Sequence, residues 1–149
     1  MPHSEQLRRG RFAELGRIYL LTATVDRREP VFADFRLGRL LAAELKAAHV
    51  EGLVDSLAWV VMPDHIHWLL VLQRGSLSAL MRRVKGRSAR QINPHIGHRG
   101  RLWQDGFRDR ALRSEEDVLP VARYIVANPL RAGLVQQVGD YPLWDAVWL

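Results

Sequence analysis

The spacing of apolar residues along the chain predicts strands that alternate with helices. An unbroken run of apolar and β-branched residues covers positions 18–25 and predicts a strand, and the charged stretch at 26–30 predicts the loop that ends it. After Asp34, a suitable N-cap, apolar residues recur at helical spacing to about residues 49–52. The chain therefore opens with a predicted strand and a predicted helix.

Two apolar runs at the centre of the chain, residues 53–62 and 65–72, predict a pair of strands. Only Pro63 and Asp64 separate them, and so short a connection favours an antiparallel hairpin. Both faces of these strands are apolar, which predicts a sheet that is covered on both sides.

A second helix and a further strand are predicted after this hairpin. Ser76 can cap a helix whose apolar stripe reaches Ile92, and a turn-rich, basic loop follows over residues 93–100. Residues 107–112 then predict a strand.

The last predicted helix begins after residues 114–117, which resemble a capping box. Pro120 should kink this helix or restart it at a new first turn, and Pro129 should end it by about Asn128. The order strand, helix, strand, strand, helix, strand, helix predicts an α+β fold. Its simplest form is a ferredoxin-like sandwich with a central antiparallel sheet flanked by helices.

Length and composition favour a single domain over residues 1–149. A chain of 149 residues with 48% hydrophobic content suits one core. Residues 1–16 are expected to form a loose basic lead-in, and residues 136–149 a tail whose Trp144 and Trp148 fold back onto the body. No apolar run suits a membrane span or a signal peptide, so we expect no membrane association and a cytoplasmic location.

The charge balance points to a polyanionic partner. The formal net charge is +6, and nucleic acid is the commonest polyanion, although charge alone equally fits a merely basic soluble protein. The chain has no cysteine, so any metal would be held by histidine, carboxylate or amide groups. Such ligands suit Mg²⁺ or Mn²⁺ as well as zinc.

The tripeptide His65-Ile66-His67 is the first candidate for chemistry. Side chains two residues apart on a strand point to the same face, so the two imidazoles should project together and form half of a metal site. An isolated pair of this kind is more often structural, so the ligand interpretation depends on other residues.

Tyr124 and Asn128 lie four residues apart on the last predicted helix and therefore share a face. Alone, they would be a core tyrosine and a helix-terminal asparagine. Together with the histidines they suggest another hypothesis. A hard divalent cation held by His65, His67 and the Asn128 amide oxygen would act on a phosphodiester, with the Tyr124 phenolate as nucleophile.

The sequence around these residues resembles a known family. The resemblance is carried by VMPDHIHWLL at 61–70 and RYIVANPLRAGLV at 123–135, in the expected order, and it extends from about Gly16 to Val135. These motifs are similar to the IS200-type single-tyrosine HUH transposases, and more closely to their domesticated branch, the REP-associated tyrosine transposases.

The resemblance implies that His65 and His67 ligate Mg²⁺ or Mn²⁺, and that Asn128 occupies the place of the third ligand, where IS200-type members commonly carry Gln. Tyr124 would attack a phosphate of single-stranded DNA, giving a 5′-phosphotyrosine and a 3′-hydroxyl that can reverse the attack. The DNA would be a hairpin formed by a repetitive palindromic element, which implies a nucleoid-associated protein. IS200-type relatives are dimers and the REP-associated branch tends towards monomers, so both states stay open.

Basic and aromatic residues outside the two histidines are candidates for contacts with this DNA. The basic ones would neutralise phosphates along a hairpin stem, and a tryptophan would stack on an unpaired base. The structural alternatives are a solvated helix face, a loop ion pair and packing under the sheet. The candidates are Arg82, Arg83, Lys85, Arg87, Arg90, Arg99, Arg101, Trp103 and Arg131.

Two other hypotheses compete with a metal-dependent DNA nickase and strand transferase. A non-catalytic module on the same fold would bind hairpin DNA or RNA without cleaving it. A small-molecule phosphoesterase would use the histidines as acid and nucleophile, but the chain has no glycine-rich phosphate loop to support it.

Overall fold

The hairpin predicted from the central apolar runs lies in the middle of the fold. The computed structural model describes residues 14–97, 100–113 and 117–147. Its strands are β1 (Ile18–Thr24), β2 (Val54–Met62), β3 (His65–Leu72), β4 (Arg108–Ala111) and β5 (Trp144–Ala146). They form a five-stranded antiparallel sheet in the order β4-β1-β3-β2-β5, so β3 is the central strand.

The α-helices of the described residues flank this sheet. They are α1 (Phe35–Val50), α2 (Leu77–Ile96), α3 (Val118–Val126) and α4 (Asn128–Arg131). Helices α1 and α2 contact one another and α1 also packs against β2, whereas α3 packs against β2 and β3. The predicted α+β architecture, a central antiparallel sheet flanked by helices, is confirmed.

The pairing register of β3 separates the two faces of the sheet. Across the β1–β3 pair, Leu21 lies opposite Trp68, and Thr22 lies opposite His67. Leu21 and Trp68 are completely buried on one face, and β3 presents its histidines on the other. Leu69, on the histidine face, is also completely buried, so both faces carry core residues, as predicted.

Two of the predicted helix caps are present. The Asp34 carboxylate accepts a hydrogen bond from the Arg36 backbone N–H at 3.0 Å, and the Ser76 hydroxyl accepts one from the Ala79 N–H at 3.1 Å. Each bond satisfies a donor that a helix N-terminus leaves without an intrahelical partner.

The predicted start of the loop at residue 93 is wrong, because α2 continues through Asn93 and Pro94 to Ile96. Proline has no N–H to donate to the Arg90 carbonyl oxygen one turn earlier, and the helix continues for only two residues beyond it. Gly97 then adopts a left-handed φ of 62°, and its N–H donates to the Asn93 carbonyl oxygen. The glycine, not the proline, terminates the helix.

Two prolines lie near the starts of α3 and α4. Residues 114–116 of the predicted capping box lie outside the described residues, and Asp117 precedes α3 without a side-chain capping bond. Pro120 sits in the first turn of α3, where its missing N–H would have no intrahelical acceptor. The helix ends at Val126, and Pro129 lies at the start of α4, in line with the predicted stop.

The tail returns to the sheet as an edge strand that the apolar pattern does not predict. β5 pairs with β2, and the Trp144 indole N–H donates to the Val138 carbonyl oxygen at 3.2 Å. The expectation that Trp144 folds back is therefore confirmed. Trp148 and residues 1–13 of the predicted lead-in lie outside the described residues.

Tyr141 links this tail to β2, and the loss of its hydroxyl group should have a measurable effect on stability. Its buried hydroxyl donates to the Val61 carbonyl oxygen at 2.6 Å. Tyr141→Phe should lower the free energy of unfolding by about 1–3 kcal/mol, because a buried carbonyl loses its donor. Denaturant titration measures the change. Tyr124→Phe is the matched control, since that hydroxyl makes none of the described hydrogen bonds; equal losses in both variants would contradict the prediction.

Candidate functional site

The two histidines of β3 project together, as their spacing predicts. Their ring centroids lie 4.9 Å apart and the ring planes make an angle of 79°. His65 pairs with Thr24 of β1 and Met62 of β2, and His67 pairs with Thr22 and Val60. The central position of β3 therefore fixes both backbones from two sides.

Each imidazole has one nitrogen engaged by the protein. His67 Nδ1 lies 2.8 Å from the Thr22 hydroxyl oxygen, and His65 Nδ1 lies 2.7 Å from Asp64 Oδ1. A carboxylate can only accept, so in the neutral imidazole Nδ1 of His65 carries the proton and Nε2 keeps its lone pair. The same arrangement at His67, with Nδ1 donating to the hydroxyl, leaves two Nε2 atoms as the ligands a metal requires.

The electrostatics keep His67 neutral. Burial, the neighbouring His65 and the Arg131 cation together lower the pKa of His67 to about 4. A neutral imidazole is the form that binds a metal ion. Burial by itself would raise the pKa of Asp64, but hydrogen bonds from His65 and Arg28 outweigh it and hold that pKa below its ordinary value.

Arg28 comes to Asp64 from a strained loop. Its Nε donates to Asp64 Oδ2 at 3.1 Å. Both Arg27 and Arg28 have left-handed backbones, with φ of 56° and 53°. Such a conformation costs a residue with a side chain about 1–3 kcal/mol, so the surrounding structure must impose it.

Tyr124 projects from α3 towards the histidines. The helix packs through Ala122 and Ile125, which are buried, and this orientation leaves Tyr124 at the edge with 52% of its surface exposed. The Tyr124 and His67 ring centroids are 6.3 Å apart. The structure therefore brings together the tyrosine and the histidine pair that the sequence separates by more than fifty positions.

Two side chains from the α3–α4 junction meet the same tyrosine. Asn128 Nδ2 donates to the Tyr124 carbonyl oxygen at 3.3 Å, and Arg131 Nη2 donates to that oxygen at 2.8 Å. The Arg131 guanidinium carbon also lies 3.9 Å from the Tyr124 ring centroid, a cation–π contact. Asn128, predicted on the same helix as Tyr124, begins α4 instead, and both Asn128 and Arg131 contact the predicted nucleophile.

The donor set fits a divalent cation. Among the described residues, no three histidine or acidic side chains form a group that could hold a metal ion, so a third protein ligand must come from another residue type. Asn128 donates through its amide nitrogen, which leaves its amide oxygen available. Two imidazole nitrogens and an amide oxygen suit Mn²⁺, or Mg²⁺ completed by water.

The predicted DNA-binding arginines of α2 divide between two environments. Arg83 forms an ion pair with Glu51, and Arg87 Nε lies 2.7 Å from Glu44 Oε1 on α1. Glu44 is only 4% exposed, so Arg87 serves a nearly buried carboxylate. These two arginines therefore make ion pairs with acidic residues of the protein, and their contact with DNA stays a prediction.

Other predicted basic residues line a groove of about 570 Å³ between α2 and residues 101–107. Arg82 is exposed on its wall, and Arg90 is exposed further along α2. Lys85 Nζ donates to the Gln104 carbonyl oxygen at 2.9 Å, and Arg101 pairs with Asp105 at 2.7 Å and with Asp26 at 3.5 Å. Arg99 lies outside the described residues.

The prediction that Trp103 stacks on a base is wrong for this structure. Trp103 is 4% exposed, its indole N–H donates to the Ser88 hydroxyl at 3.0 Å, and its ring contacts Phe32 at a centroid distance of 5.6 Å. The tryptophan packs residues 101–107 onto α2. It reaches the core because its backbone pairs with Val25 just beyond β1.

The sequence patterns did not identify Thr22 and Arg28 as residues of the site. Thr22 stands in an apolar strand and becomes a histidine partner only through the β1–β3 register. Arg28 lies 36 positions from Asp64 in a polar loop, where no periodic signal marks it. Asp64 could be suspected as an orienter because it adjoins His65.

A central strand with two histidines facing a helical tyrosine is the arrangement expected of a transposase domain. The family described as "Transposase IS200 like" matches residues 17–128. The chain therefore belongs to the IS200-like transposase family, and the resemblance found in its motifs is confirmed.

Two curated relatives carry the name of the REP-associated branch. The chain is 34% identical over 87 residues to the REP-associated tyrosine transposase of Escherichia coli K12, covering 57% of this chain and 50% of that protein. It is 27% identical over 99 residues to a protein of Haemophilus influenzae assigned the same name, covering 59% and 56%. The chain thus spans about half the length of these curated relatives.

Two solved structures share the fold. A REP-associated tyrosine transposase bound to a REP hairpin matches with a TM-score of 0.73 and 26% identity, covering 90% of this chain and 79% of that one. A protein of Deinococcus radiodurans R1 described as a transposase matches with a TM-score of 0.57 and 25% identity, covering 78% and 93%.

Within the described ranges, no helix is both long and apolar enough to cross a bilayer.

The low pKa of His67 predicts an acid-sensitive fold. The unfolded chain takes up this proton near pH 6.5 but the folded chain only near pH 4, so between these values the unfolded state binds more protons. The metal-free protein should therefore lose stability as pH falls from 6.5 to 4, by about 3 kcal/mol at most. His67→Gln should remove this part of the pH dependence.

Thermal or urea unfolding at several pH values measures how the free energy of unfolding depends on pH. His95→Gln is the matched control, because His95 is exposed on α2. A pH dependence that is the same in all three proteins would contradict the assigned cause.

Proposed function

We propose that this chain is a metal-dependent enzyme that nicks single-stranded DNA beside a hairpin and transfers the strand through a tyrosine. The observation that carries the proposal is the approach of the Tyr124 ring to within 6.3 Å of the His67 ring, on the face of β3 that also holds His65. Membership of the IS200-like transposase family supports the reaction class.

The proposed nucleophile is the Tyr124 phenol oxygen. Its attack on a backbone phosphorus forms a tyrosine–phosphate bond and breaks the bond to the 3′ oxygen, which leaves as a hydroxyl after gaining a proton. The DNA on the 5′-phosphate side stays attached to the protein. The released 3′-hydroxyl can attack the same phosphorus, which regenerates the phenol and joins a strand without an external energy source.

The surrounding side chains fit this step. His65 and His67, each held at Nδ1, would present Nε2 to Mg²⁺ or Mn²⁺, and Asn128 would offer its amide oxygen. A bound divalent cation polarises the phosphodiester and offsets charge that develops on its oxygens. Arg131 lies against the Tyr124 ring, so its guanidinium would meet a phosphate that approaches the phenol.

Hairpin DNA is the proposed partner. The structural relative bound to a REP hairpin supports this choice, and the net charge of +6 suits a polyanion. Of the predicted arginines of α2, Arg82 and Arg90 are exposed and take part in none of the ion pairs between described residues, and these two are the ones we propose contact phosphates directly. The active unit is proposed as a monomer or a homodimer.

Tyr124→Phe should abolish the covalent protein–DNA adduct, because it removes only the nucleophilic oxygen. A hairpin oligonucleotide with a single-stranded flank, labelled at its 3′ end, is incubated with the protein and Mn²⁺ and resolved on a denaturing gel. The label should move to the protein band, whereas a 5′ label should be released with the cleaved strand.

Tyr19→Phe is the control for this experiment, since that hydroxyl accepts a hydrogen bond from the Glu14 N–H at 2.8 Å and belongs to a buried residue. An adduct that survives Tyr124→Phe would assign the nucleophile to another residue. Hairpin binding without any adduct in the unmodified protein would instead favour the non-catalytic module.

The two classes of α2 arginine should respond differently to substitution. Arg82→Ala should weaken hairpin binding and reduce the slope of log Kd against log salt by about one, because one phosphate contact is lost. Arg87→Ala should mainly lower the free energy of unfolding, by about 3 kcal/mol, because the nearly buried Glu44 carboxylate loses its guanidinium partner. Salt-dependent binding titrations and urea unfolding of both variants measure the difference; interchanged effects would contradict the assignment.

A further inference from the structure

The loop between β1 and α1 holds two consecutive left-handed residues. Arg27 and Arg28 have φ of 56° and 53°, a region in which the Cβ atom crowds the neighbouring backbone and glycine is preferred. Neither position is a glycine, so contacts from the rest of the structure must hold the backbone in this conformation.

Backbone hydrogen bonds fasten this loop to the turn that precedes the histidines. The Val25 N–H donates to the Asp64 carbonyl oxygen at 2.8 Å, and the Phe32 N–H donates to the Pro63 carbonyl oxygen at 2.9 Å. On the other side, the Asp26 N–H donates to the Leu102 carbonyl oxygen at 2.8 Å. The loop therefore runs across the Pro63–Asp64 turn in one defined path.

That path brings Arg28 to the carboxylate that contacts His65. Arg28 Nε donates to Asp64 Oδ2 at 3.1 Å, and Asp64 Oδ1 lies 2.7 Å from His65 Nδ1. The Arg28 side chain is 65% exposed, and an exposed ion pair contributes little to stability. The backbone hydrogen bonds hold the loop in its path, and the ion pair by itself does not offset the strain of two left-handed residues.

We propose that Arg28 is a positioning residue that acts on His65 through Asp64. With Oδ2 held by Arg28, the carboxylate plane is fixed and Oδ1 stays directed at the Nδ1 proton of His65. The imidazole then keeps one orientation and one tautomer, and its Nε2 stays available as the metal ligand of the proposed function. The inference rests on the proposed function, which assigns His65 as a metal ligand.

His67 provides an internal comparison. Its Nδ1 partner is the Thr22 hydroxyl on β1, and Arg28 takes no part in that contact. Loss of Arg28 should therefore disturb the ring of His65 and leave the ring of His67 unchanged. A general loosening of the fold would disturb both.

Arg28→Gly separates the positioning role from stability. Glycine removes the guanidinium but adopts the left-handed backbone without strain, so the melting temperature should stay the same or rise. Mn²⁺ affinity, measured by calorimetric titration, should fall about tenfold, the effect typical of losing an outer partner of a metal ligand. Arg27→Gly is the matched control: it relieves the same strain, keeps the Arg28–Asp64 contact and should bind Mn²⁺ with unchanged affinity.

The tautomer of the His65 imidazole can be measured without a bound metal. In the metal-free protein at pH 8, long-range ¹H–¹⁵N spectra of the histidine rings should show His65 protonated at Nδ1 alone. In Arg28→Gly the two His65 nitrogen shifts should move towards each other, as for a tautomer mixture, with the His67 shifts unchanged. Unchanged His65 shifts in this variant overturn the proposal, whatever happens to the metal affinity.

The two proposals fail in distinguishable ways. If Mn²⁺ binding by the unmodified protein is absent, or persists undiminished after His65→Ala with His67→Ala, the metal assignment of the proposed function is wrong, and the His65 spectra still decide the role of Arg28. If Mn²⁺ binding requires the histidines but Arg28→Gly binds as tightly as the unmodified protein, only the role of Arg28 is wrong.

Discussion

The register of β3 between its two neighbours is the constraint on which the site depends. Because side chains alternate along a strand, a shift of one residue would turn both histidines into the face that Trp68 fills and bring Trp68 to the tyrosine. The buried Trp68 and its 2.9 Å hydrogen bond to the Ser56 hydroxyl make such a shift costly. The packing of an apolar face thus positions polar groups on the opposite face.

The site is completed by side chains that lie outside the core. Thr22 and Asp64 orient the imidazoles, Arg28 reaches Asp64 from a strained loop, and Arg131 at the end of α4 lies on the Tyr124 ring. Burial keeps His67 neutral and so suited to a metal ion, at the cost of stability in acid. Tyr124 remains half exposed beside this group, as the proposed attack on a DNA phosphate requires.

Positive charge is divided in the same way between structure and surface. Arg87 pairs with Glu44 on α1, whereas Arg82, five residues earlier, is exposed. Trp103, an attractive residue for stacking on bases, instead packs residues 101–107 onto α2. Composition therefore overstates the charge and the aromatic surface that a nucleic acid would meet. Some arginines form ion pairs within the protein, and Trp103 is packed in the core.

The sequence by itself determined four of the five strands, most helix bounds and the shared face of His65 and His67, because period-two and period-3.6 patterns and the caps at Asp34 and Ser76 are local. It also determined the candidate nucleophile, through motifs whose order is readable along the chain. Only the tertiary structure decided that Tyr124 reaches His67, that β5 closes one edge of the sheet, that Trp103 is buried and that Arg28 meets Asp64. These outcomes depend on contacts between residues far apart in the chain, and no local pattern encodes the distance between two elements that pack only once the sheet has formed.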